Sequence, residues 1–175
     1  ALEESLTFCK IKNLPFIHPF DDPDVIAGQG TIGKELLDQF NKKIDIIFIA
    51  VGGGGLISGM GAYVKTIDPK IKIVAVEAAD AAGLNSSLKA NRRVKLKEVG
   101  LFADGAAAKQ IGKHNYKLIT EWIDDSITVS TDEICAAVKD TFIDTRTIPE
   151  PTGALALAGL KKYVINKKLK NKNLI

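Results

Sequence analysis

The sequence lacks long hydrophobic runs and is poor in cysteine, tryptophan and methionine. Its longest apolar stretches, such as residues 46–51, are far shorter than the roughly 20 residues that a membrane-spanning helix needs, so we expect no membrane partner. The two cysteines, Cys9 and Cys135, match neither a metal-binding spacing nor a disulfide-rich scaffold. No signal-peptide pattern occurs near the first residue. These absences predict a reducing compartment and a cytoplasmic location.

Acidic residues are missing from the last 25 positions, which contain six lysines. Such a segment could bind nucleic acid or anionic lipid. Cations are also favoured at the C-terminal end of a helix, where they complement the helix dipole. We adopt this second interpretation, in which the lysines belong to a solvated helix end, and we expect no nucleic-acid partner.

Hydrophobic periodicity predicts helices that alternate with short buried strands. The predicted helices are 2–12, 23–40, 56–67, 81–88, 116–122, 131–146 and 152–168, and the predicted strands are 15–17, 44–51, 71–76 and 127–129. Asp22 is predicted to cap the second helix and Ser130 the sixth. A further strand is expected to begin at residues 173–175. The pattern indicates a single α/β domain over 1–175, with three layers and a mostly parallel sheet that has helices on both faces.

Four consecutive glycines, Gly52 to Gly55, separate a predicted buried strand from a predicted helix. Glycine lets the backbone approach a ligand closely and adopt positive φ angles. The first turn of the following helix offers free N–H groups and the positive end of the helix dipole. A tight turn alone would need one or two glycines, so the run of four favours a phosphate site.

Two nucleotide-binding motifs compete with this interpretation. A dinucleotide fingerprint requires the spacing G-x-G-x-x-G, which would place a glycine at Ile57, although Glu77 does end the next strand as a ribose-binding acid would. Residues 28–34 nearly match the phosphate loop of nucleoside triphosphatases, but Glu35 follows where a hydroxyl should hold magnesium. A dinucleotide- or anion-binding module therefore remains an alternative.

Four phrases, in order along the chain, resemble the fold-type II pyridoxal-phosphate enzymes. They are residues 18–33, which begin His-Pro-Phe-Asp-Asp-Pro, and residues 51–59, 100–112 and 149–159. Within that family, the phrases are most similar to the threonine dehydratases, especially the biosynthetic form. The resemblance covers nearly the whole chain and implies that it is part of the large domain of such an enzyme.

The resemblance implies pyridoxal 5'-phosphate as cofactor and assigns its binding residues. Backbone groups of Gly52, Gly53, Gly54, Gly55 and Leu56 would hold the phosphate. Gly105 would lie close to the cofactor ring, and Glu150 would lie near the active site. The implied reaction deaminates L-threonine to 2-oxobutanoate and ammonia, and L-serine to pyruvate, in isoleucine biosynthesis. A small amino acid is then the substrate. We also expect a homo-oligomer. A relative of the serine racemases or serine dehydratases remains an alternative.

The resemblance also implies that parts of the active site lie outside these 175 residues. The family's cofactor-linked lysine and asparagine loop lie upstream of the glycine run, and a serine that meets the cofactor's pyridine nitrogen lies downstream. We therefore expect a fragment with no catalytic residue of its own, inactive alone. Lys89, in Ser-Leu-Lys, does not replace the missing lysine, because its surroundings are polar. Related racemases bind a divalent cation through two acidic residues, and the matching positions here are Glu77 and Gly83. Because the second position holds a glycine, one acidic ligand is missing and we expect no metal site.

Overall fold

Three short strands pair in parallel at the centre of the molecule. The computed structural model describes residues 2–175. Strands β1 (Ile46–Ala50), β2 (Lys72–Ala78) and β3 (Asp125–Val129) lie in the order β1–β2–β3. Their register places Phe48 beside Val74 and Val76 beside Ile127. The middle strand is buried on both faces, which explains its nearly continuous run of apolar residues.

Seven helices surround this sheet within the described residues. They are α1 (Leu2–Lys12), α2 (Pro23–Gln39), α3 (Gly55–Ile67), α4 (Gly83–Ala90), α5 (Lys113–Trp122), α6 (Thr131–Thr145) and α7 (Pro151–Lys167). Single 3₁₀ turns lie at Ala79–Ala81 and Asp104–Ala106. The second turn lies in the segment that connects α4 and α5.

Two hydrophobic cores lie on opposite faces of the sheet. One core packs α6 and α7 against strand residues such as Phe48 and Val76. The other packs α3, α4 and α5 against residues such as Ile47 and Ile73, and α2 lies on the outer side of α3. The three-layer α/β arrangement predicted from the sequence is confirmed, and every strand pair among the described residues is parallel.

Both predicted helix caps are present. The Asp22 side chain accepts hydrogen bonds from the amides of Asp24 and Val25, and Pro23 is the first residue of α2. Ser130 forms a capping box, in which its hydroxyl accepts from the Glu133 amide while the Glu133 carboxylate accepts from the Ser130 amide. These local signals fix where α2 and α6 begin.

The strand predicted at residues 15–17 is wrong, because this segment makes no backbone ladder. Pro15 has no N–H to donate, and Ile17 is largely exposed. The strand predicted at 44–51 is shorter in the structure and contains only Ile46–Ala50. At the other end of the chain, Leu174 forms a parallel bridge with Ile46, as expected for a strand that begins there.

Within residues 2–175, no helix combines the length and apolar character needed to cross a bilayer. No group of three or more histidine, cysteine or acidic side chains in these residues is arranged to hold a metal ion.

Candidate functional site

The glycine run forms the turn between β1 and α3, at the carboxyl end of the parallel strands. Gly54 has a φ of 97° and stands immediately before the first residue of α3, Gly55. A residue with a Cβ resists this left-handed conformation. The amides of residues 52–57 donate no hydrogen bond to any atom of the described residues. Six successive donors are therefore free to bind a ligand at the start of a helix.

A cavity of about 340 Å³ lies against this turn. Besides the glycine run and Leu56, its walls include Phe20, Gln29, Gly105 and Thr152. None of the described residues that line it carries a charged side chain. An anion bound here would be held by backbone N–H groups and the helix dipole rather than by lysine or arginine.

Neighbouring residues leave no room for side chains on the glycine run. A Cβ on Gly52 would lie 2.8 Å from Cα of Ala106, and a Cβ on Gly53 would overlap the ring of Phe20. On Gly105, a Cβ would lie 3.0 Å from Oγ1 of Thr152. Because these positions are glycines, the segments that contain Phe20, Ala106 and Thr152 can approach one another around one cavity.

Thr152 contributes a polar atom without a partner. Its Oγ1 is buried and forms no hydrogen bond within the described residues. Thr152 is the second residue of α7, and it lines the same cavity as Gly53 and Gly105. An unsatisfied buried hydroxyl costs free energy, so its position favours a ligand that completes its hydrogen bonding.

Glu150 lies at the edge of the site rather than in the glycine-run cavity. It is exposed and stands immediately before α7. A Cβ on Gly105 would lie 3.4 Å from Oε1 of Glu150, so the two predicted residues are neighbours. Glu150 lines an adjacent cavity that shares Leu56 and Thr152 with the first one. The structure therefore brings all the sequence-predicted site residues to one end of the sheet.

Glu77 does not face this site. Its carboxylate is buried and accepts hydrogen bonds of 2.7 Å from the amides of Leu84 and Asn85, at the start of α4. Burial raises the pKa of Glu77 to about 7, although the two amides act in the opposite direction. Because both carboxylate oxygens are engaged, Glu77 is not available to a ribose, and the dinucleotide interpretation loses its acidic residue.

Residues 28–34, which nearly match a nucleoside-triphosphate loop, lie inside α2. Gly30 and Gly33 are buried against α3, where a Cβ on Gly30 would lie 3.2 Å from the carbonyl oxygen of Gly59. These glycines serve helix packing.

Sequence reasoning did not select Phe20, Thr152 or Asn115 as site residues. Phe20 and Thr152 lie inside the quoted phrases, which could have indicated them. Asn115 lies outside those phrases, in the first turn of α5, and contacts the glycine run only through the tertiary fold.

Comparison with known proteins gives a family and close relatives. A family model described as pyridoxal-phosphate dependent enzyme matches residues 2–175. The mitochondrial threonine dehydratase of Schizosaccharomyces pombe is 55% identical over 174 residues, which are 99% of this chain and 29% of that protein. The biosynthetic L-threonine dehydratase of Burkholderia multivorans is 51% identical over 175 residues, which are 100% of this chain and 34% of that protein.

A solved structure agrees with these matches. The processed form of threonine deaminase isoform 2 from Solanum lycopersicum has a TM-score of 0.94 and 44% identity, and the match covers 97% of this chain and 46% of that chain. The chain thus spans about a third of the length of the two curated relatives.

Proposed function

The chain belongs to the pyridoxal-phosphate-dependent enzymes, and we propose that the full-length protein containing it is a threonine dehydratase. It would convert L-threonine to 2-oxobutanoate and ammonia, and L-serine to pyruvate and ammonia, in isoleucine biosynthesis. The names of the relatives that are 55% and 51% identical support this substrate class. The observation that carries the proposal is the row of free amides at residues 52–57 beside a cavity without charged side chains.

The residues present fit a phosphate group. The free amides of residues 52–57 lie in the turn before α3 and in its first residues. The glycine run leaves a space that side chains would fill, and the hydroxyl of Thr152 has no partner within the described residues. Pyridoxal phosphate, when bound, withdraws electrons from the amino acid and so eases loss of its α-proton and β-hydroxyl. Residues 52–56 would bind the phosphate, and Gly105 would leave room for the ring.

The test uses the full-length protein and a matched pair of glycine substitutions. We expect the wild type to bind pyridoxal phosphate and to release 2-oxobutanoate from L-threonine. Gly54→Ala should bind the cofactor at least tenfold more weakly, because positive φ strains alanine and its Cβ would lie 2.9 Å from Cδ1 of Ile119. Coupled assay of 2-oxobutanoate and titration of the apoenzyme measure the two effects.

Gly61→Ala is the control for this pair. Gly61 lies in α3, the helix that Gly54 precedes, and the nearest atom to its Cβ would be Cβ of Trp122 at 3.5 Å, an ordinary contact. We expect cofactor binding and turnover to be retained in this variant. A wild type that binds pyridoxal phosphate but releases no 2-oxobutanoate from threonine would refute the proposed reaction, and a wild type that binds NAD instead would refute the proposed cofactor site.

We further propose a homo-oligomer located in the cytoplasm, with no nucleic-acid partner. The net charge of +3 supports the absence of a nucleic-acid partner. Within the described strands, β3 pairs on one side only, so its other edge is available to a second copy or to the rest of the full-length chain. The name of the Schizosaccharomyces pombe relative places that protein in mitochondria. Cell fractionation distinguishes a cytoplasmic from an organellar location.

A further inference from the structure

Asn115 joins three segments that surround the glycine run. It is fully buried in the first turn of α5, about sixty residues beyond the glycines along the chain. Its side-chain Nδ2 donates to the carbonyl oxygen of Phe20 at 2.6 Å and to that of Gly53 at 3.1 Å. Two carbonyl acceptors on one amide fix the orientation of this side chain.

The bond to Gly53 also fixes the peptide that follows. The carbonyl oxygen of Gly53 accepts hydrogen bonds from Nδ2 of Asn115 and from the Gly112 amide, both at 3.1 Å. No peptide bond of the described residues is cis, and in a trans peptide the C=O and the next N–H point in opposite directions. The Gly54 amide therefore points away from α5, and no residue of α5 lines the glycine-run cavity.

Asp21 holds the beginning of α5 in place for this contact. Its carboxylate accepts hydrogen bonds from the amides of Lys113, His114 and Asn115, at 2.6, 2.9 and 3.2 Å. The adjacent residue, Phe20, is the one whose ring covers Gly53. The segment containing Asp21, the start of α5 and the glycine run thus form one hydrogen-bonded unit.

We propose that Asn115 is a positioning residue for cofactor binding, which orients the Gly53–Gly54 peptide toward the phosphate. This inference rests on the proposed function. Donors that are already oriented bind an anion without a reorganisation cost. Without the Asn115 amide, the Gly53 carbonyl would keep only the Gly112 bond, and the peptide could rotate in the absence of ligand. The substitution would weaken binding of the phosphate group rather than binding of the cofactor ring.

The test compares Asn115→Ala with Ser87→Ala in the full-length apoenzyme. Ser87 is also fully buried and forms two hydrogen bonds, to Gly83 and Val94, so its loss affects stability without touching the glycine run. Fluorescence titration measures the affinities of pyridoxal phosphate and of pyridoxal, which lacks the phosphate. For Asn115→Ala we expect roughly tenfold weaker binding of pyridoxal phosphate, with pyridoxal affinity changed less than twofold. Ser87→Ala should leave the affinities for pyridoxal phosphate and for pyridoxal unchanged.

A second readout is the ³¹P resonance of the bound cofactor, which we expect to shift in Asn115→Ala and not in Ser87→Ala. Equal losses of both ligands in Asn115→Ala, or wild-type affinity with an unshifted resonance, would overturn the inference. If Asn115→Ala does not fold, Asp21→Asn decides, because it weakens the anchoring of α5 and should also lower pyridoxal phosphate affinity more than pyridoxal affinity. Failure of the proposed function has a different outcome, in which the wild type itself binds no pyridoxal phosphate.

Discussion

At the scale of single residues, burial at the start of α4 gives Glu77 an unusual protonation equilibrium. Burial raises the pKa of its carboxyl group from the usual 4.5 to about 7. The folded state therefore binds the proton more tightly than the unfolded state does. The stability that this group contributes is fully present below pH 4.5 and is lost as the pH rises toward about 7.

The prediction for Glu77 concerns this pH window. In Glu77→Gln the side chain stays neutral, so the fall in unfolding free energy of about 3 kcal/mol between pH 4.5 and 7 should largely disappear. The variant should also be less stable at pH 5 by about 1–3 kcal/mol, because an amide can accept from only one of the two α4 amides through its single oxygen. Denaturant unfolding at pH 5 and pH 7 measures both effects.

Glu98→Gln provides the comparison, since it makes the same change at an exposed glutamate. Its stability should follow the wild-type pH profile. If the unfolding free energy of Glu77→Gln falls between pH 5 and 7 as steeply as that of the wild type, the Glu77 carboxyl group does not titrate in this range. Its pKa would then not be raised to about 7.

At the scale of elements, α2 and α3 approach each other closely through glycines. Gly59 lies in α3, where a Cβ would overlap the carbonyl oxygen of Ile26 and lie 2.7 Å from the amide of Gly30. Both of these contacts are with the α2 backbone, which has little freedom to move aside. The position of α2 matters for the site, because its residue Gln29 lines the glycine-run cavity.

We predict that Gly59→Ala separates α2 from α3. The expected cost is about 1–3 kcal/mol of unfolding free energy, which is typical of overpacking. Gly28→Ala is the matched control in α2, because nothing lies within 4 Å of its Cβ. That variant should be unchanged or slightly more stable, since alanine has the higher helix propensity. Parallel denaturant titrations compare the two, and equal stability would show that the helix contact tolerates a methyl group.

At the scale of the whole molecule, apolar surface remains uncovered. Helix α1 has no buried residue, and it exposes large apolar side chains: Leu2, Leu6, Phe8 and Ile11. An isolated helix of 11 residues has marginal stability in water, so α1 gains from packing against other surfaces. This surface and the open edge of β3 are available to the rest of the full-length protein, of which the chain spans about a third in its relatives, as well as to a second copy.

We predict that the full-length protein forms a homo-oligomer in solution. Size-exclusion chromatography with light scattering should give a mass that is a multiple of the single-chain mass. A salt series tests the apolar origin of the contact, because such a contact weakens little with ionic strength. A single-chain mass across micromolar concentrations would contradict the prediction.

The glycine run and the α/β layers could be predicted from the sequence, because both depend on local chemistry. Four glycines between a buried apolar run and a helix leave few alternatives to an anion-binding turn. Asp22 and Ser130 each act on amides two or three residues away, so the starts of α2 and α6 follow from neighbouring residues. The strand expected at 15–17 was wrong, because pairing depends on a partner strand that local sequence does not specify.

The residues that surround the glycine run are set by long-range packing. Phe20, Asn115 and Thr152 come from segments far apart in the chain, and their meeting depends on how α5 packs on α3 and how α7 packs on the sheet. Glu77 lies near the end of β2, the strand next to β1, yet its carboxylate binds the start of α4 rather than facing the site. The hydrogen bonds of Asn115 join segments that are distant in the sequence and that meet only through the packing of the apolar faces, so no sequence spacing predicts them.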